Sequence, residues 1–320
     1  DYVRFGAENL IAVRVKNEGM NCRWYTGSGI YRHTFLKITN PLHFETWGTF
    51  VTTPVATADK AEVHVQSVLA NTEKVTGKVI LETRIVDKNN HTVARKEQLV
   101  TLDNKEKTEV GHALEVLAPQ LWSIDNPYLY QVVNRLLQDD KVIDEEYISI
   151  GIRNIAFSAE NGFQLNGKSM KLKGGCIHHD NGLLGAKAFD RAEERKIDLL
   201  KAAGFNALRL SHNPPSTALL NACDRLGMLV IDEAFDMWRY GHYQYDYAQY
   251  FDKLWKEDLH SMVARDRNHP SVIMWSIGNE VDYPNDPYSH PILDGSTINQ
   301  PMFGGYKPDA PDAMRIGKIA

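Results

Sequence analysis

Four short segments of this chain place proton-exchanging, hydrogen-bonding or flat aromatic side chains directly after apolar runs. They are Cys176-Ile177-His178-His179-Asp180, Arg209-Leu210-Ser211-His212-Asn213-Pro214, Asp232-Glu233-Ala234-Phe235-Asp236-Met237-Trp238 and Trp275-Ser276-Ile277-Gly278-Asn279-Glu280. A carboxylic acid at the end of an apolar strand is suited to proton transfer, because partial burial and a neighbouring carboxylate both raise its pKa toward working pH. Glu280 fits that description, and Asn279 beside it is the kind of group that binds a sugar hydroxyl. Hydrolysing a glycosidic bond takes two carboxylates flanking it, one to protonate the leaving oxygen and, in retaining enzymes, another to attack the sugar carbon from about 5 to 5.5 Å. Trp238, with Tyr240, Tyr243 and Tyr245 in the following loop, offers flat apolar faces on which sugar rings pack. Taken singly, each of these histidines and carboxylates would more often be a hydrogen-bonded structural residue, and the tyrosines ordinary loop packing. Their recurrence at successive strand ends points to one site for a polar substrate.

Such segments act together only if a scaffold brings strand ends to a common mouth, as a ring of β/α units does. From Phe163 onward the pattern is of strands alternating with helices. A strand over Met170 to Ile177 precedes a helix opened by Asp190, with Glu193 completing a capping box, Ile197 and Leu200 on one face, and Gly204 at the stop. A strand from Asn206 to Leu210 leads to a helix starting at Ser216, with Leu219, Leu220, Cys223 and Leu226 inward and Gly227 closing it. A third strand spans Met228 to Ile231. A helix carrying Phe251, Leu254, Trp255, Leu259, Met262 and Val263 at spacings of three and four then leads to a fourth strand, Val272 to Ile277. Four repeats are half of an eight-stranded barrel, and half a barrel has two open edges, so the remaining strands are expected from elsewhere. Residues 281–320, rich in Pro, Gly and Asp, read as a long loop and the beginning of a further helix.

Residues 1 to about 155 read instead as β structure without a helix, alternating as in Val63, Val65 and Val79, Leu81, Ile85, with turn clusters such as Asp87-Lys88-Asn89-Asn90. Three regions follow. Residues 1–43 are expected to be the tail of a jelly-roll domain, 44–155 an immunoglobulin-like β-sandwich, and 156–320 the N-terminal half of a TIM-barrel domain.

The bulk properties agree with a folded multidomain chain of 320 residues, 43 % hydrophobic and 24 % charged. A net charge of -5 gives no basic footprint for phosphates or anionic lipid, so neither nucleic acid nor membrane is an expected partner. No apolar run is long enough to span a bilayer, and the opening DYVRFGAENL has no signal pattern; it reads as the middle of a strand, which leaves a periplasmic or a cytoplasmic location open. Cys22, Cys176 and Cys223 are widely spaced and odd in number, which argues against disulfides and structural zinc and reads as buried small hydrophobes.

The run Asp266-Arg267-Asn268-His269-Pro270-Ser271-Val272-Ile273-Met274-Trp275-Ser276-Ile277-Gly278-Asn279-Glu280 resembles, along its full length, the acid/base signature of glycoside hydrolase family 2. Gly204-Phe205-Asn206-Ala207-Leu208-Arg209-Leu210-Ser211-His212-Asn213-Pro214-Pro215 resembles the family's other signature, continued by Cys223 to Glu233, with one departure at Asn213 where many members carry Tyr. Trp24-Tyr25-Thr26-Gly27-Ser28-Gly29-Ile30-Tyr31-Arg32 is similar to the end of the family's sugar-binding jelly roll, and Leu121-Trp122-Ser123-Ile124-Asp125-Asn126-Pro127 to its immunoglobulin-type domain. The resemblance implies a retaining hydrolase with Glu280 as general acid/base at the end of strand four and a nucleophilic Glu at the end of strand seven, outside these residues. It implies Asn279 as a sugar-hydroxyl ligand and Arg209, His179 and His212 as lining of a galactosyl pocket, joined by Asp236 and Trp238; His178 is the alternative to His179. Some family members hold magnesium beside the acid/base, but the ligand pattern after Asp232-Glu233 is not clearly reproduced, so no metal or other cofactor is expected. The short loop after Glu280 and the His178-His179-Asp180 triplet favour a β-galactoside substrate over a glucuronide or mannoside. A homo-oligomer is compatible with the sequence. A second class of reading is that the chain alone is an inactive, carbohydrate-binding piece, since a proton donor without a nucleophile lacks half of the double displacement.

Overall fold

The computed structural model describes residues 3–19, 21–22, 29–237 and 243–279. Among the described residues before 41 none pairs in a ladder, so the strands expected there are not seen in them, and Phe5 and Leu10 stand 95 % and 93 % exposed. A strand needs a neighbour to take its N–H and C=O groups, and among the described residues no strand is paired with this stretch.

The next elements are antiparallel strands: β1 (Leu42–Phe44), β2 (Phe50–Ala56), β3 (Lys60–Asn71), β4 (Thr76–Val86), β5 (Thr92–Asp103), β6 (Lys107–Leu117), β7 (Tyr130–Gln138) and β8 (Lys141–Ile150). β3 pairs with β1, β2 and β6 in one sheet, and the other runs β5-β4-β7-β8. Period-two alternation decides what lies between them. In β3, Ala61, Val63, Val65 and Leu69 are buried, and they meet Leu81, Ile85, Val132, Leu136 and Ile150 from the facing sheet.

A small antiparallel sheet that the sequence pattern does not announce follows, made of β9 (Ile155–Ser158), β10 (Gly162–Leu165) and β11 (Lys168–Ser169). Its Phe163 and Leu165 pack with Trp122, Ala207, Leu229 and Ile273 to form a floor under the parallel sheet. The expected strand Met170 to Ile177 is therefore shorter.

The β/α part consists of β12 (Gly174–Ile177), α1 (Asp190–Ala202), β13 (Ala207–Leu210), α2 (Thr217–Leu226), β14 (Leu229–Glu233), α3 (Ala248–Asp266) and β15 (Val272–Ser276). The four strands are parallel and adjacent in chain order. Leu208, Leu210, Val230 and Val272 face outward onto Ile197, Leu219, Leu220 and Cys223 of the helices. The alternate residues Arg209 and Glu233 face the other side, and a register shift between β14 and β15 at Val230/Ile231 turns Ser276 to meet them. At Gly174 an added Cβ would lie 1.8 Å from the Ala207 carbonyl oxygen, which is why this strand pair can approach only with glycine there.

Local signals explain two helix ends. Ser216 Oγ accepts from the Leu219 N–H at 3.2 Å, and Gly227 ends α2 with φ of 72°. The expected capping box on α1 is not made: Phe189 is the N-cap residue and offers no side-chain cap. Asp190 pairs with His33 at 2.6 Å and Glu193 accepts from Asn181 Nδ2 at 2.7 Å, so both carboxylates are engaged elsewhere. On α3, Leu254 lies outside the buried stripe formed by Phe251, Trp255, Leu259 and Met262.

Sandwich and β/α part are stitched together by polar side chains. Asn268 accepts from the Val51 N–H and donates to the Thr49 carbonyl, both at 2.9 Å. Arg153 donates to the carbonyls of Pro270 and Val272 at 2.5 and 2.7 Å, and the Trp122 indole N–H donates to the Asp224 carbonyl at 2.9 Å. Lys201 Nζ bridges the Ile124 and Gly227 carbonyls.

Candidate active site

At the carboxyl ends of the parallel strands, Glu233 is a hub. Its carboxylate is fully buried and accepts from Arg209 Nε at 2.7 Å, from His212 Nδ1 at 2.6 Å and from Ser276 Oγ at 2.7 Å. Burial pushes its pKa up, but the hydrogen bonds from His212, Ser276 and Arg209 and the arginine's charge outweigh that, and the net direction is below the ordinary carboxylate value. An ionised Glu233 is acceptor-only, so His212 must carry its proton on Nδ1. Arg209 in turn reaches Asn279 Oδ1 at 3.0 Å, and Asn279 Nδ2 donates to Asp236 Oδ1 at 3.0 Å. The Asn279 N–H also donates to the Phe235 carbonyl at 2.8 Å, which fixes the backbone one residue before Glu280.

Of the expected site residues, the structure thus joins Arg209, His212, Asp236 and Asn279 in one network. His179 lies beside it: its Nδ1 is 3.4 Å from Asn213 Nδ2, and burial together with Arg32 and His178 lowers its pKa. The His178 ring meets His212 edge-on, with centroids 5.3 Å apart. Both histidines, with His212, Asn213 and Asp236, line a cavity of about 420 Å³. Glu280, Trp238 and Tyr240 lie outside the described residues.

Glu233 and Ser276 are site residues that the sequence pattern does not single out, although both stand at strand ends; the signal for Glu233 is a carboxylate two residues beyond the apolar run Leu229-Val230-Ile231 of β14. The expectation that Cys176 is a buried small hydrophobe does not hold. Cys176 is exposed, next to Arg209, whose Nη1 is 3.7 Å from its Sγ, because it occupies an inward position of β12. Cys223 is buried as expected. A further contribution comes from the segment before the sandwich. Arg32 donates to the carbonyls of Pro214 and Pro215 at 2.8 and 3.1 Å, and the Tyr31 ring lies 5.8 Å from that of His179.

Beneath the hub, Asp232 points the opposite way from Glu233, toward Asp266, which Arg265 grips with two hydrogen bonds of 2.6 Å. Burial, the Asp266 charge and a side-chain hydrogen bond to Asp266 outweigh the Arg265 charge and the Glu233 backbone hydrogen bond and push the Asp232 pKa up to about 8, so this buried carboxyl keeps its proton at neutral pH. Among the described residues no group of three or more His, Cys, Asp or Glu is arranged to hold a metal ion, and no helix is long and apolar enough to cross a membrane.

An arginine, an asparagine, an aspartate and histidines thus gather around one mouth of parallel strands. Two family descriptions match the chain: glycosyl hydrolases family 2 over residues 43–153, and the glycosyl hydrolases family 2 TIM barrel domain over residues 158–291. The chain belongs to glycoside hydrolase family 2. Among family 2 relatives, it is 42 % identical over 281 residues to beta-galactosidase BoGH2A of Bacteroides ovatus, which covers 88 % of this chain and 33 % of that protein. It is 31 % identical over 301 residues to a beta-glucuronidase of Formosa agariphila, covering 87 % of this chain and 30 % of the relative. The crystal structure of a family 2 member from Bacteroides cellulosilyticus is similar with a TM-score of 0.86 and 99 % identity, over 87 % of this chain and 36 % of that one. The chain therefore spans about a third of the length of the relatives it matches.

Proposed function

We propose that this chain is the part of a retaining β-galactosidase that carries the general acid/base, Glu280. The observation that supports it best is the fixed position of Asn279, held through Arg209 and Asp236 at the end of β15 with Glu280 next in sequence. On this reading Glu280 protonates the departing glycosidic oxygen while a carboxylate from outside these residues attacks the anomeric carbon. Glu280 then takes a proton from the water that releases the sugar. Asn279, Arg209, His179 and His212 bind sugar hydroxyls, with Asp236 and Trp238 at the margin. Residues 44–155 are an immunoglobulin-like support, 156–320 the first half of the barrel and 1–43 the tail of a sugar-binding domain.

The test is Glu280→Gln in the full-length polypeptide that carries this chain. Turnover of substrates with poor leaving groups is expected to collapse, while activated aryl galactosides, which need little protonation, lose less. Equal loss for both substrate types refutes the assignment. A β-glucuronidase is the second reading, favoured by the glucuronidase among the relatives, and a panel of aryl glycosides separates the two.

A further inference from the structure

On the far side from the mouth, a cavity of about 340 Å³ lies at the seam between the sandwich and the β/α part. The described residues that line it include Arg153, Arg267 and His269 and no Asp or Glu. Arg153 spends two N–H groups on the Pro270 and Val272 carbonyls, and Arg267 donates to the Trp47 carbonyl at 2.8 Å while lying over the Phe50 ring at 4.8 Å. Among the described residues neither guanidinium has a carboxylate partner, and the buried Arg267 Nε has no acceptor at all. The carboxylate of Asp224 is already engaged, by His269 Nδ1 at 2.5 Å and by the Ser271 N–H at 3.1 Å. Burial lowers Arg153 to about 10 against the nearby Asp224 charge, which raises it, so it stays cationic at neutral pH.

Two half-buried cations beside a roomy polar hollow, with no carboxylate in direct contact among the described residues, are an expensive arrangement: an unpaired buried ion costs several kcal/mol. Carbonyl oxygens and a ring face repay part of that, and an anion would repay the rest. We propose that the seam cavity binds a free small oxyanion, of the sulfate, phosphate or carboxylate class, between Arg153 and Arg267. Both arginines line the hollow, and the planar fork of a guanidinium suits a two-oxygen acceptor. Binding there fastens Phe50 to Thr53 of the sandwich against the residues that lead into β15, and so acts on the strand that carries Asn279. This site is independent of which glycoside the enzyme cleaves.

The experiment is titration of the full-length protein with sodium phosphate and, separately, sodium sulfate by calorimetry at constant ionic strength. It is repeated with Arg267→Gln, and paired with anomalous diffraction from crystals soaked in selenate. Wild type should bind one oxyanion saturably, with Kd at least about tenfold weaker in Arg267→Gln, and selenate should sit between the two arginines. Arg153→Gln removes two carbonyl contacts and is liable to misfold, so Arg267→Gln is the deciding variant and Arg267→Lys, which keeps charge without the fork, should bind with intermediate strength. Absence of saturable binding in wild type, as when an acidic side chain from elsewhere in the polypeptide fills the hollow, overturns the proposal. So does equal binding by wild type and Arg267→Gln.

Discussion

Replacing Glu233 by Gln keeps the shape of the hub and removes one of its two acceptor oxygens. The Oε2 position takes hydrogen bonds from both Arg209 and Ser276, so the amide oxygen of the variant must sit there; an NH2 group at that position would oppose two donors. The amide NH2 is then left facing His212 Nδ1, which in wild type is a donor at 2.6 Å. The imidazole must move its proton to Nε2 to accept, which reverses the polarity of the nitrogen available to a ligand. Arg209 also loses its charge partner. Breaking a buried pair by removing one partner costs about 3 to 5 kcal/mol, and the low end applies because Arg209 keeps about a third of its side chain exposed and retains Asn279. In the full-length polypeptide, on the proposed reading as a β-galactosidase, the expected outcome is a folded protein destabilised by about 3 kcal/mol in urea unfolding, with kcat/KM for an aryl galactoside reduced about a hundredfold, as a binding group misplaced by about an ångström can do. Nitrogen-15 NMR of the imidazoles reports the tautomer directly. A variant with unchanged kcat/KM and His212 still protonated on Nδ1 would refute the hub argument.

Other expectations follow from single contacts. Asp232 holds a proton in the folded state up to about pH 8, whereas an unfolded Asp with its ordinary pKa of 3.8 releases it near pH 4. The folded state therefore binds the extra proton across that window, and stability falls as pH rises through it, by up to about 1.4 kcal/mol per pH unit. Asp232→Asn, whose amide donates to Asp266 at every pH, should flatten this slope in denaturant midpoints measured across the window; an unchanged slope sinks the assignment of the proton. Gly174→Ala drives a methyl into the Ala207 carbonyl and should destabilise by about 2 to 4 kcal/mol in urea unfolding, with little loss if the strands can part there. Ser216→Ala removes the cap of α2 and should cost about 1 kcal/mol by the same measurement, whereas no loss would show that the cap is redundant.

What the sequence disclosed of this site was set by locality. The ends of α2 were legible because Ser216 and Gly227 act on groups within four residues of themselves. Arg209, His212, Asp236 and Asn279 were legible because each stands just past an apolar run. Glu233 was not, because its meaning lies in donors 24, 21 and 43 residues away in sequence. Asp190 and Glu193 misled for a related reason: a capping pattern is a statement about local competition, and His33 and Asn181 are distant competitors that win. The position of Cys176 depends on strand parity within β12, which a boundary misplaced by a few residues conceals.

The same contrast explains how the acid/base run is divided. Its first part, Asp266 to Pro270, never meets the mouth: Asp266 holds Arg265, Arg267 and Asn268 fasten onto residues 47, 49 and 51, and His269 onto Asp224. Its last described residues, Ser276 and Asn279, join Glu233, Arg209 and Asp236. A catalytic carboxylate must be held to within a fraction of an ångström, and a strand anchored at one end only would pivot. β15 is pinned to the sandwich at its start and to the Arg209 network at its finish, which fixes the chain up to Asn279, the residue before the proposed acid/base Glu280. Asn268→Ala, which loses two seam hydrogen bonds and touches nothing at the mouth, should therefore lower kcat more than it raises KM; a pure stability loss with wild-type kcat would mean that the anchor at the mouth suffices alone.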